Sequence, residues 1–219
     1  MFSVKNIADL DMDGPFAGGP GAGLIYTSMV LESGLTGGYM ANVANGLGPF
    51  SLAFDEDDNL LVSEAFSTGP GTSGALSSYT LNPDGTVTTI SGSVLSLEAA
   101  SCWVAVAGDC AFTTNNFVAS ISSYSITDGA LTLVDNEAAT LDAPLDISVS
   151  PDGQFLYALS TGHNLAMGDT GPMGQTQGQP AIFSYIITPD CGLARFDVEL
   201  EGLPTEFISV NGAVGMTSC

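Results

Sequence analysis

One short phrase is written three times along this chain, and a repeat of that kind limits the fold more than any single residue can. It reads LSSYTLNPDGTVTTI from Leu76, ISSYSITDGALTLV from Ile121 and IFSYIITPDCGLARF from Ile182. Each copy is a short run ending in Tyr plus one or two apolar residues, a turn carrying Asp or Gly, and a second run. Ahead of each copy stands another repeated phrase: PFSLAFDEDDNLLVSEA, CWVAVAGDCAFTTNN and PLDISVSPDGQFLYALS. Alternating runs separated by turn residues predict hairpins. Two hairpins per unit predict the four-stranded antiparallel blade of a β-propeller.

The units are expected at 48–99, 100–142 and 143–203, with a partial unit opening at Pro204 and running to 219. Residues 1–47 read as a further partial blade, whose outer strands FSVKNI and GLIYTSMVL flank a Gly/Pro-rich insertion. Unit starts align at Pro49, Ser101, Pro144 and Pro204, and their unequal spacing is taken up in loops. No 3.6-residue amphipathic pattern persists over about a dozen residues, so the chain is expected to be all-β. The count comes to about four to five blades.

Charge narrows the partners. Asp and Glu number 24 against two basic residues, Lys5 and Arg195, for a formal net charge of −22. Nucleic acid needs a basic stripe, and phosphorylated ligands usually need Arg or Lys partners, so neither class is expected. The same field attracts cations such as calcium, although low basicity also serves solubility alone. No run of about 18 apolar residues is present, so no membrane-spanning segment is expected. The N-terminus shows no apolar signal-peptide core. Read literally that implies a cytosolic protein; the alternatives are a processed chain or part of a longer one.

Four cysteines, Cys102, Cys110, Cys191 and Cys219, form no metal-ligand spacing. Local pairing is the expectation: Cys102 with Cys110 stapling one hairpin, and Cys191 with Cys219 tying the last turn to the C-terminus. That pairing argues for an oxidising compartment. Four small buried residues that never pair are the alternative.

The phrase PLDISVSPDGQFLYALS resembles the SPDG-type hairpin of the lactonase family of seven-bladed β-propellers, related to 6-phosphogluconolactonase and to YVTN-repeat surface proteins. GPFSLAFDEDDNLLVSEAFSTGPGTSGALSSYTL, the strand at Ser101–Val104 and the TTNN strand end at Thr113–Asn116 are similar to segments of its secreted bacterial members. The resemblance runs from Gly48 to Gly212. It implies a propeller working outside the cell or at its surface. It also implies a departure, because seven blades at about 40–45 residues each need roughly 300 residues. This chain resembles the family's C-terminal blades, and open blade edges would be completed by self-association or by another protein. On this reading it is a binding or structural module, with a neutral small ligand in scope. The competing reading is a lactone hydrolase or isomerase acting on an uncharged or metal-bridged substrate.

Propeller geometry brings the loops after the second strands to one face, near Glu64, Asn115, Asn116 and His163. Glu64 is placed as a general base near the axis, or else as a solvated or hydrogen-bonded strand-end carboxylate. His163, the one histidine, titrates near neutrality and stands as its candidate catalytic partner, or as an ordinary loop residue. Asp9, Asp11 and Asp13 before Gly14 match the opening of a calcium loop. Pro20 stands where such a loop ends on Glu, and a polar turn is the alternative. Asp55–Asp58 is expected to be a solvated turn rather than a weak calcium site.

Overall fold

A computed structural model describes residues 2–6, 23–31, 34–67, 73–141, 144–160 and 181–201. Three four-stranded antiparallel sheets follow one another in chain order. The first holds β4 (Leu47–Phe54), β5 (Leu60–Phe66), β6 (Ser73–Leu81) and β7 (Val87–Ala99). The second holds β8 (Ser101–Ala107), β9 (Cys110–Asn115), β10 (Ser120–Thr127) and β11 (Ala130–Thr140). The third holds β12 (Pro144–Val149), β13 (Phe155–Ser160), β14 (Ala181–Ile187) and β15 (Leu193–Glu201). An N-terminal sheet has three strands, β1 (Phe2–Asn6), β2 (Leu24–Leu31) and β3 (Gly34–Val43). Each strand pairs with its sequence neighbour, as in a β-propeller. Tyr39–Val43 pair with Leu24–Ser28 of β2.

Adjacent sheets stack on one another, and a separate apolar cluster fills each of three junctions. Ile25 and Ala44 meet Leu60, Val62 and Tyr79 at the first. Leu61 and Leu76 meet Val104, Ala111 and Tyr124 at the second. Phe112 and Ile121 meet Ile147, Leu156, Ala158 and Tyr185 at the third. The Tyr of each repeated phrase therefore faces the preceding sheet. The apolar residue three positions before it (Leu76, Ile121) faces the following one. Period-two alternation explains the split, since successive side chains of a strand point to opposite faces. Both faces of a blade must be apolar, and the strands carry little charge.

A polar contact recurs at these junctions. The second strands end opposite Leu24, Ala75, Ser120 and Ala181, and three residues on stand Thr27, Ser78, Ser123 and Ser184. The Thr27 hydroxyl donates to the Gly85 carbonyl in the β6–β7 turn of the following sheet, and Asn42 Nδ2 reaches the same carbonyl at 3.1 Å. The Ser78 hydroxyl donates to the Gly129 carbonyl in the β10–β11 turn at 2.6 Å. Gly85 and Gly129 have φ of +85° and +75°, the left-handed conformation that glycine adopts without steric cost. A Cβ on Gly129 would also lie 2.7 Å from Ile90 Cδ1.

The third junction is covalent. Thr188–Gly192 folds as Asn82–Thr86 does, with the same two turn hydrogen bonds, but Cys191 occupies the left-handed position at φ +62°. Its sulfur is bonded to Cys110, at the start of β9 in the preceding sheet. This corrects the expectation of local pairing. Ala107 pairs with Cys110 and Ser101 with Asn115, so Cys102 and Cys110 stand at opposite ends of their hairpin, too far apart to join. Cys102 is buried and outside the disulfide, and Cys219 lies outside the described residues. Ser123, at the position equivalent to Thr27 and Ser78, has a buried hydroxyl with no hydrogen-bond partner among the described residues.

Two outcomes test this arrangement. A non-reducing peptide map should recover Cys110 and Cys191 in one linked fragment, and Cys110→Ser should cost about 2–5 kcal/mol. Ser78→Ala should lower stability in urea by about 1–3 kcal/mol, because it strands a buried carbonyl.

Candidate functional site

The connections between second and third strands, 7–23, 67–72, 116–119 and 161–180, all leave from one rim of the sheets. Asp9, Asp11, Asp13 and His163 fall within two of them and lie outside the described residues. Glu64 is described, as are its counterparts. It pairs with Pro49, Asn115 with Ser101 and Ser160 with Pro144, so the three occupy one position in successive blades.

Glu64 is fully buried and its carboxylate is spent on hydrogen bonds. Gly46 N–H donates to Oε1 at 2.9 Å, Ser77 Oγ to Oε1 at 2.7 Å and Ser93 Oγ to Oε2 at 2.7 Å. Ser77 Oγ in turn accepts from Ser93 N–H at 2.7 Å. Asn45 N–H donates to the Tyr79 hydroxyl at 3.0 Å, which fixes the approach of the chain from β3. Gly46 is needed for proximity, since a Cβ there would lie 2.2 Å from Glu64 Oε2. Burial pushes the Glu64 carboxyl above the usual glutamate range, against the lowering effect of Ser77, Ser93 and the Gly46 amide.

Asn115 repeats the device without charge. Its Oδ1 accepts from Ser101 Oγ at 2.8 Å, and Nδ2 donates to Ser120 Oγ at 3.0 Å and Ser122 Oγ at 2.7 Å. Ser77 and Ser122 are the same residue of the repeated phrase. In the third blade that residue is Phe183, which pairs with Ala158, two residues before Ser160. The change from serine to Phe183 accompanies the change to Ser160, a signal present in the sequence but visible only once Glu64, Asn115 and Ser160 are aligned. Asn116 Nδ2 also spans to the third blade, donating to the Pro144 carbonyl at 3.0 Å.

The innermost strands carry a second feature at this rim. Each has a bulge near its start, between Pro49 and Leu52, Ser101 and Val104, and Pro144 and Asp146. The released amides are taken up by hydroxyls: Ser51 N–H donates to Ser63 Oγ at 3.0 Å and Trp103 N–H to Thr114 Oγ1 at 3.1 Å. Phe50 and Trp103 meet edge to face across the first two blades, with ring centroids 4.8 Å apart. Both are half-buried, an uncharged aromatic surface beside the amides and hydroxyls of the rim.

The Asp55–Asp58 cluster is a turn. Asp55 Oδ1 accepts from Asp57 N–H at 3.0 Å and Asn59 N–H at 2.8 Å, so its carboxylate closes the hairpin. Asp84, Asp152 and Asp190 do the same in the three proline turns, and Thr86, Ser150 and Thr188 hydroxyls hold their carboxyls below the usual range. Among the described residues no group of three or more His, Cys, Asp or Glu is placed to hold a metal. Nor is any helix among them long and apolar enough to cross a membrane.

No protein-family model matches the sequence, and no curated protein matches it. Solved structures do match, and they define a β-propeller fold of the kind found in lactonase-like proteins. A putative 6-phosphogluconolactonase from Bacteroides uniformis superposes with a TM-score of 0.56 at 17% identity, covering 86% of this chain and 55% of that one. One from Bacteroides fragilis gives 0.53 at 18% identity, with 89% and 67% covered. The periplasmic gluconolactonase of Pseudomonas aeruginosa gives 0.51 at 13% identity, with 84% and 50% covered. In most of these comparisons the chain spans about half the length of the structure it matches.

The raised Glu64 carboxyl sets a pH dependence. Its contribution is complete below the ordinary glutamate value and is lost as pH rises through the raised folded value, where a charge must be buried. The three lowered turn aspartates act oppositely, stabilising above their ordinary range and ceasing to do so as pH falls through the lowered values. They are common to wild type and Glu64→Gln, so they cancel in the difference. That difference, from urea unfolding at stepped pH, should shift toward wild type as pH falls, and Glu64→Gln should lack this component.

Proposed function

We propose that this chain is an extracytoplasmic β-propeller module whose work is binding or assembly rather than robust catalysis. The observation that carries the reading is the Glu64 carboxylate, which is fully buried and accepts from Gly46, Ser77 and Ser93. A general base needs a lone pair within reach of a substrate proton. Here the lone pairs hold the connection from β3 against β5 and β6. The Asn115 counterpart supports the same role, since an amide in that position also bonds to the serine of the repeated phrase and has no acid–base chemistry. The interblade disulfide supports an oxidising compartment, extracellular or periplasmic. Ligand recognition at the rim falls to Phe50, Trp103 and neutral hydrogen-bonding groups, which suits an uncharged ligand.

A second reading, lactone hydrolysis, is favoured by the shared fold with the two putative 6-phosphogluconolactonases. A fold hosts many activities, so the site must decide. With two basic residues in the chain, a substrate would be uncharged or bridged by a cation such as calcium, for which Asp9, Asp11 and Asp13 are the proposed ligands. Hydrolysis of glucono-δ-lactone should stay at the uncatalysed rate with and without added calcium. A rate that disappears in both Glu64→Gln and His163→Ala, in variants that retain the wild-type circular dichroism, establishes the enzyme instead.

A further inference from the structure

We infer that Asn45–Gly46 is a site of self-modification, where the asparagine amide converts to a carboxyl, and that Glu64 and Thr89 keep it unreacted in the folded chain. The inference goes beyond the binding reading above and is independent of it. It begins from a constraint already met. Glu64 approaches so closely that only glycine fits at position 46, where an added Cβ would lie 2.2 Å from Oε2. That requirement puts glycine directly after Asn45, which is exposed to water. With no Cβ, glycine presents its backbone nitrogen unshielded to the preceding amide side chain.

The chemistry needs only water. The Gly46 nitrogen gives up its proton to a solvent base and bonds to Asn45 Cγ, closing a cyclic imide. The Cγ–Nδ2 bond breaks, and the side-chain nitrogen takes a proton from solvent and leaves as ammonia. Water then opens the imide at either carbonyl, giving aspartate or its β-linked isomer. Nothing is oxidised or reduced.

The fold engages the two reacting groups with different strands. Gly46 is buried, and its N–H donates to Glu64 Oε1 of β5 at 2.9 Å, which shields the proton from solvent base. A carboxylate is far too weak a base to take an amide proton outright, so this bond restrains the nitrogen without activating it. The Asn45 side chain is held elsewhere. Its Oδ1 accepts from Thr89 Oγ1 at 3.3 Å, and its Nδ2 donates to Ser77 Oγ at 3.4 Å. Its Cγ rests against Gly92, where an added Cβ would lie 3.3 Å away. Thr89 and Gly92 belong to β7, and β6 separates that strand from β5. The Tyr79 hydroxyl, accepting from Asn45 N–H at 3.0 Å, fixes the backbone ahead of the reacting amide. Imide closure requires aligned atoms about 3–3.5 Å apart. It therefore waits on local opening of this connection. Conversion also prevents full reclosure. The new carboxyl stands beside the Glu64 cage, and the β-linked form lengthens the backbone by a carbon and draws Gly46 N–H off Oε1. A converted Asn45 is thus a record of past opening where β3 passes into the first blade.

Peptide mapping by mass spectrometry, after storage of the folded chain in mildly alkaline buffer, reads the site. Asn45 in wild type should convert at least about tenfold more slowly than in a synthetic Ala41–Pro49 peptide, the factor that one hydrogen bond to a charged group supplies. Glu64→Ala, with unchanged circular dichroism, should raise the Asn45 rate about tenfold over wild type. Should Glu64→Ala lose its fold, Thr89→Val at an exposed position replaces it and should raise the rate severalfold. Cys110→Ser, which weakens the chain at the third junction, should leave Asn45 at the wild-type rate. Wild type converting as fast as the peptide overturns the inference. So does a rate in Glu64→Ala or its replacement no faster than wild type, or an equal acceleration by Cys110→Ser. None of these outcomes bears on the lactone assay, so the two readings fail separately.

Discussion

A blade with two apolar faces has no stable place in water except between two others, and that requirement organises everything described here. Leu61 and Leu76 leave one face of the first blade while Leu60, Val62 and Tyr79 leave the other, all of them fully or almost fully buried. Burying such side chains contributes about 1.5–3 kcal/mol each. Apolar stacking alone, however, sets no angle or register between neighbouring sheets. The directional contacts from Thr27 and Ser78 to the left-handed glycines of the next sheet supply that register.

The rim is built on the same logic. Bringing the chain from one blade's outer strand to the next blade's innermost strand buries backbone amides, which must find acceptors. Glu64 does so for the Gly46 amide, while Asn115 at the equivalent position bonds to serine hydroxyls; each has a serine of the repeated phrase as a partner. Charge is therefore not what the position requires. A polar side chain that reaches the serine of the repeated phrase is.

Much of the architecture was legible in the sequence because period-two alternation and proline–aspartate turns are local signals. The three blades and their order follow from the SSY phrases and their SPDG-type companions. The pairing of Cys110 with Cys191 was not legible, because it depends on which turn rests against which neighbouring sheet. Strand register, not proximity in sequence, separates Cys102 from Cys110. The partners of Glu64 were hidden for a related reason: Gly46, Ser77 and Ser93 come from three different strands or connections. The equivalence of Gly85 and Cys191 was in the sequence all along, written as NPDGT and TPDCG, and it needed the turn geometry to give it meaning.

That equivalence also fixes how the molecule comes apart. Junctions held by hydrogen bonds and packing can open and reclose independently, whereas the bond from Cys110 to Cys191 makes the second and third blades a single unit of unfolding. The two earlier junctions, held by packing and hydrogen bonds alone, are the ones that can separate first. Reduction of the disulfide would leave the third junction to packing, without the hydroxyl contact that Thr27 and Ser78 make at the other two.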